Sequence, residues 1–585
     1  MTSIDELFKK PTSTASGKRK FDPAQDPNEL YKAAKLDSED DVKSKGKNPM
    51  VEDEEQDDGY AGPELPPDFE ADVPDDEEGR FFGGGMEHKT AQAMQYIDQQ
   101  DRGEVAPEKF DSAWVRRFAL NFERKISKNA ELRGKFENDP QKFMASEADL
   151  DSEIKGLSIL SEHPDLYDEF SKMGCVGSLV SLLAHENADI AIDTIQTIGE
   201  LIDEDVEAEQ EQWDKLVHAL LDADLIELLI QNLSRLDESS DVDRAGVYHV
   251  LGVLENLASQ PSVSERIVQD SAVLSWLLSR VQKKESPVSQ NKQYAAEILA
   301  VLLQSSEKNR IQFINIEGVD VLLQLLSQYR KLDPQKDSDE EEYAENLFDC
   351  LICLVDGDLG KNKFVEGEGV ELVQIMLKEG KFSKQRGLRV LDHALSGLGG
   401  APACERLVEI AGLRTVFGMF MKKQENRAIE HLLGIFASLL RLLPSGSPAR
   451  IRTLAKFMEK DYEKIDKLVK LRRDYASRVS PIETAIEKER KGLSKEDQEI
   501  MEGDWLSRRF DAGLFSLQLI DVILAWLVAE DDGAKKKIMA LLADRDEDLS
   551  LIQRTLQEQI EDLSDKDPGQ KDLKEMLTTL VQFLN

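Results

Sequence analysis

The chain has 585 residues, of which 115 are acidic and 74 basic, giving a formal charge of -41 and a pI near 4.6. A surface of that sign repels phosphate backbones and anionic membranes, which argues against nucleic acid or lipid as main ligands and makes basic protein segments the natural complement. The length suits either several ordinary domains or one long repeat array.

Residues 1–106 read as a disordered arm, since nine of the nineteen prolines fall before residue 110 and apolar periodicity is nearly absent. Within it IDELF (4–8) offers one amphipathic turn that is too short to hold a helix alone. Lys18, Arg19 and Lys20 form a short basic cluster of the kind that serves as a nuclear-localisation signal. Residues 37–78 then carry 18 acidic residues against three lysines, a block that repels itself and stays solvated. It is either a solubilising tail or an internal competitor for a binding groove.

Order begins near Pro107. Phe110, Trp114, Val115, Phe118, Phe122 and Ile126 recur at three- and four-residue steps, as on an amphipathic helix. With the charged stretch that follows, residues 107–164 read as an amino-terminal helical cap.

From 165 to 444 one sentence recurs: a turn, usually with glycine, then an apolar stripe at helical spacing. The copies are MGCVGSLVSLL (173–183), DADLIELLIQNL (222–233), SAVLSWLLSRV (271–281), IEGVDVLLQLL (316–326), NKFVEGEGVELVQIMLK (362–378) and IAGLRTVFGMF (410–420). Indexed on Val176, Ile226, Leu274, Val319, Val370 and Leu413, the intervals are 50, 48, 45, 51 and 43 residues. HEAT and armadillo units repeat at roughly 40 to 47 residues. Each unit exposes an apolar face it cannot bury alone, so neighbours must stack. An apolar helix is expected before each indexed one, and acidic loops interrupt the array at 203–211 and 333–342. Both loops read as solvated insertions, with Ser338, followed by Asp339 and Glu340, as an alternative phosphorylation position on the second.

After Pro444 the period is lost. Residues 449–478 read as one long charged helix with a stripe of Ile451, Leu454, Phe457, Met458, Ile465, Leu468 and Leu471, and 504–529 as a mostly apolar, buried helix. Three shorter helices complete a carboxy-terminal helical cap over 445–585. The expectation is therefore an all-α, armadillo/HEAT-like right-handed superhelical solenoid between two helical caps, preceded by a disordered acidic arm.

Specific runs point to a family. NAELR (129–133), PQKFM (140–144), NLSRLDES (232–239), ENLFD (345–349), GEG (367–369), VLDHA (390–394), GLRT (412–415) and RRFDAGLF (508–515) occur in collinear order from about residue 108 to the end. Together they resemble the catenin-beta-like protein 1 family. The resemblance implies an armadillo-type nuclear protein associated with the spliceosomal nineteen complex. It also implies binding to basic, nuclear-localisation-type segments of splicing proteins, notably a Myb-domain component of that complex.

In armadillo arrays the last helix of each unit lines the groove and presents asparagines to an extended peptide. LENLA (254–258) matches that pattern and makes Asn256 the foremost candidate; shifting by one repeat gives Glu200, Asn256, Val301, Cys353, His393 and Ser438. With one asparagine in six, charge attraction is expected to outweigh a regular backbone clamp. Glu200, with Asp203, Glu204 and Asp205 just beyond, is placed to meet lysines or arginines.

Cys350 and Cys353 form a CxxC without a second pair to complete a zinc site. Four cysteines inside apolar runs, and no apolar amino-terminal signal segment, fit a reducing intracellular compartment. His393 beside Asp392 lacks a nucleophile, and neither Gly83-Gly84-Gly85 nor the glycines at 397–400 carry the rest of a phosphate loop. The expected function is a non-enzymatic scaffold without cofactor or metal that binds basic segments of nuclear splicing proteins. A nuclear import adaptor for basic cargo is the alternative, and homodimerisation stays open.

Overall fold

The structure is a computed structural model that describes residues 109–269, 272–564 and 568–584. The arm, with Lys18, Arg19, Lys20, the acidic block and the glycines at 83–85, lies outside the described residues. Every regular element among the described residues is a helix. The chain divides into two compact units at Leu150.

In the first unit, Asp111 caps α1 (Ser112–Lys135) by accepting from the backbone N–H of Ala113 and Trp114. Trp114 stacks on Phe118 and Phe118 on Phe122 along its apolar stripe. Asn129, buried, donates to Ser146 Oγ at 3.1 Å, and Arg133 pairs with Glu147; Ser146 and Glu147 lie in α2 (Met144–Gly156).

In the second unit each indexed stretch is the second of three helices, where the sequence suggested two per repeat. The six triplets are α3 (Tyr167–Lys172), α4 (Cys175–Ser181), α5 (Ala188–Leu201); α6 (Gln210–Asp222), α7 (Leu225–Arg235), α8 (Asp241–Ala258); α9 (Pro261–Val268), α10 (Ala272–Gln282), α11 (Gln290–Ser305); α12 (Glu307–Asn315), α13 (Gly318–Leu326), α14 (Asp339–Val355); α15 (Asp358–Glu366), α16 (Gly369–Glu379), α17 (Phe382–Leu395); and α18 (Ala401–Glu409), α19 (Leu413–Phe420), α20 (Asn426–Leu442). Most first helices escaped the sequence reading because they are six to nine residues long and bury one narrow stripe, such as Phe313 and Ile314 of α12; α6, at 13 residues, is longer. Third helices pack on one another in order, α5 on α8, then α11, α14, α17 and α20.

Two devices recur. Between first and second helices the backbone turns through a left-handed residue: Gly174, Asp224, Glu317, Glu368 and Ala411 have φ of 77, 61, 62, 60 and 59°. In the last three units the glycine follows that residue, and a Cβ on Gly318, Gly369 or Gly412 would penetrate Phe313, Phe364 or Leu407. Glycine is there for close approach, while an ordinary residue carries the strained φ at about 1 kcal/mol. The second device satisfies the last carbonyls of the third helices, which lack intrahelical partners. Asn309 Nδ2 donates to Leu302 O at 3.0 Å, Lys361 Nζ to Val355 O at 2.6 Å and His393 O at 2.8 Å, and Cys404 Sγ reaches Leu395 O at 3.8 Å. Lys361 is only 2 % exposed, so burial lowers its pKa and these carbonyls offset the desolvation of its charge.

Beyond Pro444 the stacking continues although the period does not. The long helix expected over 449–478 is α21 (Pro448–Gly492), interrupted at Glu459–Tyr462, where Lys460, Asp461 and Tyr462 are left-handed. That interruption falls where a seventh unit would turn from first to second helix, and Tyr462 Oη holds it by donating to Asp531 Oδ2 at 3.1 Å. Phe457, Ile465 and Leu468 of the expected stripe are buried, but Ile451 is 58 % exposed. The single helix expected over 504–529 is two, α22 (Lys495–Asp511) and α23 (Leu514–Glu530), bent by 66° at left-handed Gly513. α23 packs on α20 as a seventh third helix. Its buried Asp521 meets Arg472 through two bonds, at 2.7 and 3.1 Å, which explains a carboxylate inside so apolar a run. α24 (Asp532–Ala543), α25 (Ser550–Asp562) and α26 (Pro568–Leu584) complete the unit. No single described helix is long and apolar enough to cross a membrane.

Candidate peptide-binding surface

The once-per-repeat series falls on the accessible side of the third helices. Glu200 is exposed and Asn256, Val301, Cys353, His393 and Ser438 are half-buried, whereas the next residue in each helix, Leu201, Leu257, Leu302, Leu354, Ala394 and Leu439, is buried. The register follows from helical periodicity: a position one step off the core stripe of a packed helix faces outward.

At the amino-terminal end of this layer lies an open cleft of about 900 Å³, formed by 156–164, the end of α5 and the loop after it. Glu162, Glu200, Asp203, Asp205 and Glu207 line it, and among the described residues no lysine or arginine does. The loop is held by local bonds such as Asp205 N–H to Asp203 Oδ1 at 2.9 Å, and Glu200 accepts from Gln196 Nε2 at 3.0 Å. Glu204 is exposed but outside the lining, while Glu162 and Glu207 belong to it without having been singled out. Glu162 is 38 residues from Glu200 in the chain, so only the packing of 157–162 against α5 reveals that they share a wall.

Behind the cleft, Lys155 Nζ lies 2.9 Å from Asp151 and 3.3 Å from Asp193. Burial, then the neighbouring Asp151 carboxyl, pushes Asp193 up to about 6. Burial also keeps the His249 imidazole on α8 below its usual pKa, against the pull of Glu200.

Asn256 is committed in part to the fold, since its Nδ2 donates to Gly199 O of α5 at 3.3 Å and ties α5 to α8. Tyr294 Oη donates to Glu255 at 2.5 Å across the next step. Farther along, acids face cations or imidazoles of the following helix. Glu345 pairs with Arg386, Asp349 with Arg389 at 3.0 Å, Asp356 with His393 at 3.4 Å and Asp392 with His431 at 2.9 Å. The His393 imidazole holds the Asp356 carboxyl below the usual range. His393 and Asp392 therefore look to different helices rather than forming a base and its orienting acid.

Cys175, Cys350 and Cys404 are buried and Cys353 half-buried; burial raises the Cys353 thiol to about 11 and Cys350 well above its usual value, which disfavours thiolate chemistry. Among the described residues no group of three or more histidine, cysteine or acidic side chains is arranged to hold a metal. Ser338 caps α14, donating to Gln335 O at 2.6 Å and accepting from Glu341 N–H at 3.3 Å, so the last four residues of the expected acidic loop at 333–342 are the first turn of that helix.

A family described as catenin-beta-like, Arm-motif containing nuclear matches residues 91–557. Beta-catenin-like protein 1 homolog of Schizosaccharomyces pombe is 39% identical over 471 residues, covering 80% of this chain and 82% of the relative. Human beta-catenin-like protein 1 is 37% identical over 470 residues, covering 78% and 83%. Among solved structures, one concerned with the interaction between cadherin and beta-catenin aligns at a TM-score of 0.43 and 12% identity, over 74% of this chain and 77% of that chain.

Proposed function

The chain belongs to the catenin-beta-like, Arm-motif containing nuclear family, and from that premise we propose that it is a non-enzymatic scaffold for basic, nuclear-localisation-type segments of splicing proteins. In the reading that its sequence resemblance implies, it works within the spliceosomal nineteen complex, with a Myb-domain component among its partners. One observation carries the binding mode: a cleft of about 900 Å³ whose five charged lining residues are all carboxylates. A cationic segment laid there exchanges water for charge-assisted hydrogen bonds, and the excess negative potential speeds encounter. The third-helix layer continues the surface beyond the cleft, with its acids facing arginines or imidazoles of the following helix.

The test is titration of a fluorescent eight-residue lysine- and arginine-rich peptide into the full chain at about 50 and 300 mM salt. Binding should weaken steeply with salt, because the contacts are screened over a Debye length of about 10 Å or less. Salt-independent affinity, or none at low salt, removes the cleft from consideration. Affinity purification from nuclear extract addresses the partners: a fixed set of splicing proteins supports the scaffold, and import machinery with assorted cargo would replace it with a transport adaptor.

A further inference from the structure

A second concavity differs in character from the acidic cleft. Between α7 and α10 lies a pocket of about 440 Å³ with buried Leu233 and Val247 in its floor and half-buried Leu236 and Trp276 in its walls. Among the described residues the charged lining of its lip is Arg280 and Lys283 against the single carboxylate Glu238, a cationic balance on a chain of charge -41. Arg280 is spent internally, bonding Glu238 Oε1 through Nε and Nη2 at 3.2 and 2.9 Å and pairing with Glu285 at 3.0 Å, so it fixes the wall. Lys283 is different: its side chain is 56 % exposed and its ammonium is loosely held, 3.4 Å from Glu238 and 4.0 Å from Glu285, with exposed Lys284 beside it. The basic segments suited to the cleft are repelled by such a lip, whereas a segment carrying both apolar anchors and carboxylates is matched by it.

The chain contains one. Ile4, Leu7 and Phe8 stand at i, i+3 and i+4, the spacing that puts three anchors on one side of a helical turn, and Asp5 and Glu6 lie between them. A turn that short does not persist in water alone and needs a surface to complete it. About 100 residues separate it from Lys109, a contour of up to roughly 330 Å, so the tether permits docking within the same molecule. Intramolecular docking also avoids the cost of bringing two molecules together. We infer that the amino-terminal segment IDELF is an intramolecular ligand of the α7–α10 pocket, with Leu7 and Phe8 in the apolar floor and Asp5 or Glu6 at Lys283. The surface is separate from the proposed cleft and does not depend on it.

The test places p-benzoylphenylalanine at position 8 of the full chain, irradiates at low micromolar concentration and maps the cross-links by mass spectrometry. Cross-links within one molecule to peptides from α7 or α10 are expected, with a yield independent of protein concentration and at least fivefold lower in Trp276→Ala. A dimer-sized product whose yield rises with concentration would assign the pocket to a second copy and overturn the intramolecular assignment. Cross-links elsewhere, or none, would overturn it as well. Since Trp276→Ala also thins the pocket wall, a variant that leaves the solenoid untouched supplies the second readout. In Leu7→Asp/Phe8→Asp, hydrogen exchange should rise in α7 and α10 and stay unchanged in α17 and α20. Equal exchange in both proteins refutes the docking.

Discussion

The two ends of the third-helix layer handle negative charge in opposite ways. At α5 five carboxylates share a cleft with no lysine or arginine in its lining among the described residues, whereas at α14, α17 and α20 the acids Glu345, Asp349, Asp356 and Asp392 face Arg386, Arg389, His393 and His431 of the following helix. The paired stretch already sets its acids against arginines and imidazoles of the next helix, so it acts as inter-repeat lacing. The cleft instead gathers five carboxylates in one lining, and a basic segment laid there screens their mutual repulsion. Acidic composition alone does not distinguish the two. Where each acid's nearest cation sits does.

Reversing the cleft charges should break this contrast most severely. Glu200→Lys/Asp203→Lys/Glu207→Lys is expected to weaken a lysine- and arginine-rich peptide by ~30-fold at low salt, with the gap closing as salt rises, measured by fluorescence anisotropy; Glu204→Lys, outside the lining, should cost much less. The paired stretch should instead reveal itself in stability. Gly369→Ala forces a Cβ into Phe364 and should lower stability by about 1–3 kcal/mol in denaturant titration, with peptide affinity unchanged. Asn256→Ala breaks the tie to Gly199 and should cost about 1 kcal/mol; a loss of affinity larger than that of stability would show that the amide also contacts the ligand. Arg389→Ala removes the cation that Asp349 faces and should tighten the same peptide by roughly twofold while costing under about 1 kcal/mol of stability.

The smallest effect concerns protonation behind the cleft. Asp193 keeps its proton up to about pH 6, whereas an unfolded aspartate loses it near pH 4. Its raised pKa therefore contributes stability that is present below about pH 4 and lost as pH rises through 6. Asp151 is shifted the other way, so the readout is the difference from a variant rather than the whole profile. Asp193→Asn should gain on the native protein across that window and exceed it at pH 7 by under about 1 kcal/mol once solvent screening is allowed for. A constant difference in melting temperature from pH 4 to 7 would refute this assignment.

Much of the architecture was legible because it is periodic. The six indexed positions from Val176 to Leu413 each head a second helix, and the outward register of Glu200, Asn256, Val301, Cys353, His393 and Ser438 follows from the buried residue beside each. The short first helices were hidden, since eight or nine residues with one narrow apolar stripe resemble a polar loop. The breaks in 449–478 and 504–529 were hidden for another reason. Helical propensity runs through Lys460 to Tyr462, and only packing against α23 and α24 makes a left-handed turn there the better choice.

The sequence by itself determined that this protein is a stack, because stripes repeated every 43 to 51 residues leave apolar faces that only a neighbour can cover. It also determined that the outside of the stack is acidic. Tertiary structure decided how the acids are grouped: Glu162 and Glu207 join Glu200 across gaps in the chain, while Asp349 meets Arg389 and Asp356 meets His393 about 40 residues onward. Charge acts through space over a few ångströms, and chain order does not record that distance until the helices have packed.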